Sequence, residues 1–349
     1  MEPLDDAKFS GTKEVAEHLT IEVSNLQPWI DEFVPGAGKI NSIEQFKGGQ
    51  SNPTYKIVTE SKNLVLRRKP PGKLLPSAHA VDREYKVITA LYETDVPVPK
   101  TYGLCEDDEI AGTAFFVMDF LDGDLFWNPM IPSLSNQDRT EIYQNKNKTL
   151  ALLHDVDYKK IGLEDYGKPG NYVARQVARW SKQYRASETD DIEAMNNLID
   201  WLPKNIPDDD ETSIVHGDYR LDNMILKNNQ VMGILDWELS TLGHPIADFS
   251  YHCLSWRTQE AFWDQAKLKE LGVPSEKEYM DMYCENTGKD LSKNWEFYMA
   301  FNMFKIAGIL QGILGRVRDG TASSKHAEDR GMMVYPLSEA AWNTIKENF

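Results

Sequence analysis

Cysteine is scarce in this chain of 349 residues, and the scarcity limits the kinds of protein it can be. Cys105, Cys253 and Cys284 are widely spaced, and no Cys-x-x-Cys pair occurs. Three isolated cysteines favour neither a disulfide framework nor a zinc knuckle. Chains without disulfides are typical of reducing compartments, so we expect a cytoplasmic protein.

Long apolar runs are also lacking. The first six residues, Met-Glu-Pro-Leu-Asp-Asp, have no apolar core, and no uninterrupted apolar stretch approaches the length of a membrane span. A secretory leader and a membrane helix both need such a stretch. We therefore expect no cleaved leader and no membrane partner.

Positive charge is the third deficit. The chain has 38 lysines and arginines against 55 aspartates and glutamates, which gives a net charge of −17. Because nucleic-acid backbones are bound by clustered cations, we expect no nucleic-acid partner. An acidic surface chiefly confers solubility, and attraction of a cationic small substrate is the alternative explanation.

The remaining composition is that of an ordinary globular protein, with 41% hydrophobic and 11% aromatic residues. Residues 1–38 indicate a mostly helical lead-in that ends at a Pro-Gly-Ala-Gly turn. Turn residues then separate three strand-like segments, which predicts an antiparallel meander. These segments are Ile40–Phe46, Thr54–Thr59 and Asn63–Arg68.

Helical periodicity begins after the meander. Residues 78–92 carry apolar side chains at helical spacing, and residues 114–118 form an apolar run typical of a buried strand. Beyond a turn-like segment that starts at residue 121, the pattern is chiefly helical. Strands that precede helices along a chain predict an α+β fold with two lobes. We predict a lead-in over residues 1–38, a sheet-rich lobe over 39–120 and a helix-rich lobe over 121–349.

The most informative motif lies in the second of these lobes. Residues 216–223 are His-Gly-Asp-Tyr-Arg-Leu-Asp-Asn, and residues 234–238 are Ile-Leu-Asp-Trp-Glu. Asp218 and Asn223 are five positions apart, and Asp236 follows Asp218 by eighteen. Phosphoryl transfer needs one carboxylate to accept a hydroxyl proton, and an Asn and a second carboxylate to bind Mg²⁺. The motif contains all three. An ordinary polar hairpin turn is the alternative.

Five residues of the motif receive a predicted role. Asp218 would accept the hydrogen bond of the substrate hydroxyl and act as the catalytic base. Asn223 and Asp236 would ligate Mg²⁺ through hard oxygen donors. Gly217 would let the loop turn, and His216 would organise the loop rather than act as an acid.

With these residues the chain resembles the aminoglycoside phosphotransferase family, which has a protein-kinase-like fold. More narrowly, it resembles the kinase-like domain associated with long acyl-CoA dehydrogenases. The narrower resemblance covers roughly residues 25–345 and rests on the motif and on residues 48–54, 65–76, 81–85, 237–248 and 305–313. It implies a small antiparallel-sheet lobe with one key helix, a larger helical lobe, and ATP with Mg²⁺ in the cleft.

The resemblance also implies how the sheet-rich lobe holds the nucleotide. Such a lobe carries a cation on its third strand, paired with a helix carboxylate. Here these are Arg67, where the broader fold usually has Lys, and Glu84. Strand alternation puts Val65 on the same face as Arg67, where it would touch adenine. A cation-rich, exposed strand end is the alternative for Arg67.

Two further segments complete the implied nucleotide site. The turn that contains Gly49 and Ser51 would cradle phosphate through backbone N–H groups and the Ser51 hydroxyl. Residues 116–121 resemble a kinase hinge, in which Met118 would line the adenine pocket. The backbone of Asp119 and Leu121 would pair with the adenine edge.

The sequence therefore predicts a phosphotransferase that moves the γ-phosphoryl group of ATP to an alcohol group of a small molecule. Only six residues separate Asp236 from Gly243, too few for a protein-kinase activation loop, which argues against protein substrates. The resemblance favours a hydroxyacyl or acyl-CoA-type acceptor and implies a functional link to an acyl-CoA dehydrogenase. An aminoglycoside acceptor and a catalytically silent nucleotide-binding module remain open, the latter because of Arg67.

Overall fold

The computed structural model describes residues 10–48, 52–72, 79–322, 324 and 326–349. Its strands are β1 (Thr12–Lys13), β2 (Ile40–Phe46), β3 (Thr54–Thr59), β4 (Asn63–Arg68), β5 (Thr101–Cys105), β6 (Phe115–Asp119), β7 (Ser213–Val215), β8 (Met224–Lys227), β9 (Gln230–Ile234) and β10 (Thr241–Gly243).

The α-helices of the same residues are α1 (Val23–Phe33), α2 (Val81–Leu91), α3 (Asp108–Ala111), α4 (Asn136–Asp155), α5 (Tyr172–Ser187), α6 (Glu193–Trp201), α7 (Pro245–Cys253), α8 (Ser255–Thr258), α9 (Gln265–Leu271), α10 (Glu276–Thr287), α11 (Trp295–Arg318), α12 (Ala327–Met332) and α13 (Val334–Asn348). Short 3₁₀ turns lie at Glu17–Leu19, Leu202–Lys204, Leu221–Asn223, Trp237–Leu239 and Glu260–Phe262.

The chain forms two compact units that do not follow the chain order. The first contains the residues up to Tyr166, together with Asp218–Ser240 and Leu271–Val273. The second contains Gly167–Gly217, Thr241–Glu270 and Pro274–Phe349. The lobe boundaries that the sequence suggests at residues 38 and 120 stay a prediction.

The sheet of the first unit has six strands in the order β1-β2-β3-β4-β6-β5. All its neighbouring strands are antiparallel, so the predicted meander over β2, β3 and β4 is confirmed with its predicted bounds. In β4 the side chains of Leu64 and Leu66 join the apolar core, whereas Val65 and Arg67 lie on the other face. The sheet thus presents one face to the core and the other to the candidate site.

Helix α1 covers the core face of this sheet. Its buried residues Leu26, Trp29 and Ile30 recur three and four positions apart and pack against the sheet. The Trp29 ring meets Phe115 edge-on, with centroids 5.0 Å apart. At Gly103 of β5 a Cβ atom would lie 3.0 Å from the Trp29 ring, so any larger residue would press against that ring. The described part of the predicted lead-in therefore belongs to the core of the first unit.

A hairpin of β8 and β9 carries the second half of the phosphoryl-transfer motif. Its turn residues Asn228 and Asn229 both have positive φ, at 51° and 62°, as a tight two-residue hairpin turn requires. The backbone of Asp124 bonds in both directions to Leu226, at 2.7 and 2.8 Å. At Gly123 a Cβ atom would lie 2.4 Å from the Leu226 oxygen. This crossing anchors the hairpin within the first unit.

The second unit is built around α11, which contacts α5, α7, α12 and α13. By length and composition α11 could cross a membrane, but 61% of its most apolar window is buried in the structure. Packing within the second unit accounts for that apolar character. A short antiparallel pair, β7 with β10, leads into the motif loop.

The acidic run at residues 208–211 is more firmly attached than its composition suggests. Asp210 accepts a hydrogen bond from the Asn171 N–H at 2.6 Å, and Glu211 pairs with Lys289 at 2.5 Å. Asp209 lies 3.3 Å from the Nε2 atom of the buried His244. The run is a loop, as its composition predicts, and three of its carboxylates hold it to the second unit.

Candidate active site

The loop before Asp218 is held by a carboxylate. Asp248 of α7 accepts hydrogen bonds from the N–H groups of His216 and Gly217, each at 2.9 Å. Gly217 has φ of +83°, a conformation that side-chain-bearing residues rarely adopt, and His216 is fully buried. Two charge-assisted bonds to consecutive amides fix the direction in which the chain enters the motif.

Asp218 and Asn223 are in direct contact. The Asn223 Nδ2 atom donates to the Asp218 backbone oxygen at 2.9 Å and to its Oδ2 atom at 3.2 Å. Arg220, which the sequence analysis left without a role, places its Nε atom 3.6 Å from Asp218 Oδ1 and pairs with Asp222 at 2.5 Å. The Asp218 carboxylate is 24% exposed, so a substrate hydroxyl has access to it.

Asn223 and Asp236 flank the two strands of the β8–β9 hairpin and therefore lie together at its open end. Met224 pairs with Ile234, and the Leu235 N–H extends this ladder to the Asn223 oxygen at 2.8 Å. Asp236 then adopts φ and ψ of 62° each, in the left-handed region. A non-glycine residue in this conformation is held there by its surroundings, and such strain is concentrated at functional sites.

Arg67 joins the sheet, α2 and the hairpin. Its Nε atom lies 2.9 Å from Glu84 Oε2, and its Nη2 atom lies 2.5 Å from Asp236 Oδ1. Both Arg67 and Glu84 are buried, at 8% and 1% exposure, whereas the Asp236 side chain is 31% exposed. The alternative of a solvated strand end is therefore wrong for Arg67. Its role toward phosphate stays a prediction.

The electrostatics of this group favour a charged guanidinium. Burial raises the pKa of Glu84 to about 7, although Arg67 lowers it. Burial lowers the pKa of Arg67, but Glu84 and Asp236 together raise it above its ordinary value. One cation thus serves two carboxylates, and among the largest influences on the pKa of Glu84 it is Arg67 that lowers it.

Asn52 is a site residue that the sequence analysis missed. It is fully buried, and its Nδ2 atom donates to Glu84 Oε1 at 2.9 Å. Its Oδ1 atom lies 3.1 Å from His79 Nδ1. In sequence Asn52 is one more polar residue of a turn, and its contact with Glu84 spans 32 positions. The signal that could have identified Asn52 is its position within residues 48–54, one of the segments that carry the family resemblance.

The two residues predicted to line the adenine pocket lie side by side in the sheet, and their role toward adenine stays a prediction. Val65 and Met118 are direct partners across β4 and β6, and each is 7% exposed. The Asp119 N–H already donates to the Lys100 oxygen at 2.8 Å, so it is not available to pair with adenine. Leu121 packs over β9 at Gly233, where an added Cβ atom would lie 2.2 Å from Leu121 Cδ1 and would displace the end of that side chain.

Two predicted phosphate contacts, Gly49 and Ser51, lie outside the described residues. The remaining predicted site residues, which are Arg67, Glu84, Val65, Met118, Asp119, Leu121, Asp218, Asn223 and Asp236, all belong to the first unit. Within it, direct contacts join Arg67 to Glu84 and Asp236, and Asp218 to Asn223.

The second unit contains a separate groove between α5 and α11. It has a volume of about 410 Å³, and its lining includes Trp180, Gly312, Arg316 and Arg318. Arg318 is engaged by Asp319 at 3.0 Å and by the Glu188 oxygen at 2.9 Å. No acidic partner of Arg316 occurs in the part of the chain that the structure describes.

Comparison with known proteins gives consistent matches. The sequence model of the phosphotransferase enzyme family matches residues 42–283. Mouse acyl-CoA dehydrogenase family member 10 is 45% identical over 348 residues, which cover 97% of this chain. The chain spans only 32% of the length of that relative.

Two solved structures show the fold. A crystal structure from Ralstonia eutropha JMP134, provisionally named an aminoglycoside phosphotransferase, has a TM-score of 0.87 at 48% identity, covering 95% of this chain and 100% of that one. A thermostable mutant of aminoglycoside phosphotransferase APH(4)-Ia, in a ternary complex with ADP and hygromycin B, has a TM-score of 0.61 at 12% identity, covering 91% of this chain and 98% of that one. The predicted kinase-like α+β fold is confirmed.

Proposed function

Because the chain belongs to the phosphotransferase enzyme family, we propose that it is a kinase that transfers the γ-phosphoryl group of ATP to a hydroxyl group of a small molecule. The observation that carries this proposal is the meeting of Arg67 with both Glu84 and Asp236 in the unit that also holds Asp218 and Asn223. Phosphoryl transfer depends mostly on positioning and charge neutralisation, and these residues supply both.

Nucleotide binding would use the face of the sheet opposite the core. Val65 and Met118 offer an apolar wall to adenine, and Arg67 offers its guanidinium to the phosphates. The bound ADP of the APH(4)-Ia complex supports a nucleotide in a protein of this fold. Arg can bind phosphate through its planar fork, so the departure from Lys does not by itself abolish this role.

Mg²⁺ would be held by Asn223 and Asp236. With the Asn223 amide nitrogen engaged by Asp218, the amide oxygen is the atom that remains for a cation. Arg67 occupies one oxygen of Asp236, and the 31% exposure of that side chain leaves the other accessible. No group of three or more His, Cys, Asp or Glu suited to a metal occurs among the described residues. Two protein oxygens fit Mg²⁺, which usually completes its shell with water and phosphate oxygens and neutralises their charge.

Asp218 would accept the hydrogen bond of the attacking hydroxyl and take up its proton. Asn223 orients the carboxylate, and Asp248 fixes the loop that leads to it. Arg220 lies beside the carboxylate, with its Nε atom 3.6 Å from the Oδ1 atom. These side chains bind, orient and accept a proton, and no covalent enzyme intermediate is required.

The acceptor we propose is a hydroxyacyl or acyl-CoA-type metabolite. The similarity to an acyl-CoA dehydrogenase family member supports it and supports a functional link to such an enzyme. Hygromycin B in the APH(4)-Ia complex and the net charge of −17 support an aminoglycoside as the second candidate. We place the enzyme in the cytoplasm.

A transfer screen with radiolabelled ATP and Mg²⁺ tests the proposal. We expect label to pass to hydroxyacyl-CoAs and not to aminoglycosides, and Asp218→Asn to abolish transfer while nucleotide binding persists. Label on aminoglycosides alone would overturn the acceptor class. Nucleotide binding without transfer to any acceptor would indicate a catalytically silent module. Absence of both transfer and nucleotide binding at millimolar ATP would contradict the kinase proposal.

A further inference from the structure

Arg83 directly precedes Glu84 on α2, and its contacts lie within the first unit. Its Nη2 atom donates to the backbone oxygen of Tyr166 at 2.8 Å and to that of Ser240 at 3.4 Å. Its guanidinium carbon also lies 4.4 Å from the centroid of the Tyr166 ring, a cation–π contact. Helix α2 is thereby attached to the segment that follows Asp236.

That segment is folded tightly onto itself. The Ser240 hydroxyl donates to the Trp237 oxygen at 2.5 Å and lies 2.5 Å from the Tyr166 hydroxyl. Trp237 is fully buried, and its indole N–H donates to the Ile234 oxygen at 3.0 Å. Because this turn is short and held by these hydrogen bonds, a displacement of Ser240 would also displace Asp236.

Together these contacts close a ring. Arg67 touches Glu84, Glu84 is bonded to Arg83 through the peptide chain, and Arg83 holds Ser240. The turn from Ser240 back to Asp236 and the Asp236–Arg67 pair complete the ring. The longest polar link, from Arg83 to the Ser240 oxygen, is 3.4 Å, and the Tyr166 hydroxyl supplements it by lying 2.5 Å from the Ser240 hydroxyl. The distance between Glu84 and Asp236 is therefore constrained from two sides.

We propose that Arg83 is a positioning residue for phosphoryl transfer, acting with Tyr166 and Ser240 as a clamp. The Arg83 clamp holds α2 so that Arg67 and Asp236 stay aligned without any ordering event. The proposal rests on the proposed kinase function. It explains how a chain with six residues between Asp236 and Gly243 keeps this alignment without an activation loop.

The test compares Arg83→Gln with a matched control on the same helix. Lys86 pairs with Asp165, the neighbour of Tyr166, at 2.6 Å, but these side chains are 42% and 73% exposed. An exposed pair of this kind contributes little, so Lys86→Gln should leave kcat unchanged. Arg83→Gln should lower kcat about 10- to 100-fold, since small misplacements of catalytic groups have effects of this size. The KM for the acceptor should stay unchanged.

Conservative variants distinguish a loss of positioning from a loss of folding stability. Arg83→Lys keeps a cation over the Tyr166 ring and should restore part of kcat, although Lys lacks the planar fork. Tyr166→Phe keeps the ring and the backbone oxygen, so it should lower kcat less than Arg83→Gln does. It also provides a folded test variant if Arg83→Gln proves unstable.

Hydrogen exchange gives a readout that does not depend on activity. In Arg83→Gln the amides of α2 and of residues 237–240 should exchange faster together, while those of α11 in the second unit keep their wild-type rates. Unchanged exchange and wild-type kcat in Arg83→Gln would overturn the clamp alone. A wild-type protein with neither transfer nor nucleotide binding would overturn the proposed function, whatever the exchange rates show.

Discussion

At the scale of single residues, two adjacent arginines of β4 have separate tasks because strand alternation sends them to opposite faces. Arg67 meets Glu84 and Asp236 on the site face. Arg68 donates to the backbone oxygens of Ala111 and Leu19 and lies over the Tyr55 ring, so it belongs to the core face. The pair allows catalytic and structural effects of the same substitution to be compared.

Arg67→Lys should raise the KM for ATP about 10- to 100-fold. A lysine ammonium cannot bridge Glu84 and Asp236 as the guanidinium fork does, and a lost hydrogen bond to a charged group corresponds to about 1.5–3 kcal/mol. Arg68→Lys should lower the midpoint of urea unfolding and leave that KM unchanged. Steady-state kinetics and urea titrations on both variants measure this. Equal effects of the two substitutions on the KM would contradict the assignment.

At the scale of the elements, the first turn of α7 depends on a buried, neutral histidine. The Nε2 atom of His244 lies 3.1 Å from the Asp209 backbone oxygen and 3.2 Å from the Tyr298 hydroxyl, and its ring stacks on that of Tyr298. Its Nδ1 atom is buried and has no hydrogen-bond partner among the described residues. Burial lowers the pKa of His244, although Asp209 opposes the shift.

The contribution of His244 to stability should therefore fall as the pH drops below about 6.5, the ordinary pKa of histidine. In that range the unfolded chain binds a proton at His244 that the folded chain resists, so acid favours unfolding. In urea titrations between pH 5 and 8, the free energy of unfolding should rise more steeply with pH in wild type than in His244→Gln. This difference isolates His244 from Glu84, whose raised pKa acts in the opposite direction. The same slope in both proteins would show that other groups cause the loss.

The predictability of each element depends on how local its signals are. Strands β2, β3 and β4 follow from alternation and turn residues within a few positions, and their bounds are correct. Strand β5 was not predicted, because its sequence, Thr-Tyr-Gly-Leu-Cys, contains a glycine in its centre. The reason for that glycine is its contact with Trp29, which is distant in the sequence. The contacts of Asn52 with Glu84 and of Arg83 with Ser240 span 32 and 157 positions, which no local pattern encodes.

The family resemblance supplied what local patterns could not. The choice of Glu84 among the acidic residues of α2 came from family register, and the structure places it against Arg67. The buried state of Arg67 was not foreseeable, because cations at strand ends are usually solvated. The acceptor was the least predictable part, since neither a local pattern nor the family register specifies which hydroxyl compound receives the phosphoryl group.

At the scale of the whole molecule, Mg²⁺ and ATP together should stabilise the fold by mass action. A ligand at 100 times its Kd adds about 2.7 kcal/mol to the free energy of unfolding. Thermal unfolding should show a higher Tm with Mg-ATP, and EDTA should remove most of the increase. In Asp236→Ala the EDTA-sensitive part of the increase should be lost. An increase that EDTA leaves intact would contradict a metal at Asn223 and Asp236.

Because Arg67 is shared between two carboxylates, we expect the affinities for nucleotide and for metal to depend on each other. Phosphate oxygens that approach Arg67 compete with Asp236 for its guanidinium and leave that carboxylate short of positive charge. A divalent cation is the natural replacement, so nucleotide should raise the affinity for metal. Because such coupling is reciprocal, metal must raise the affinity for nucleotide by the same factor. Free ATP, without its cation, should accordingly be the poorer ligand.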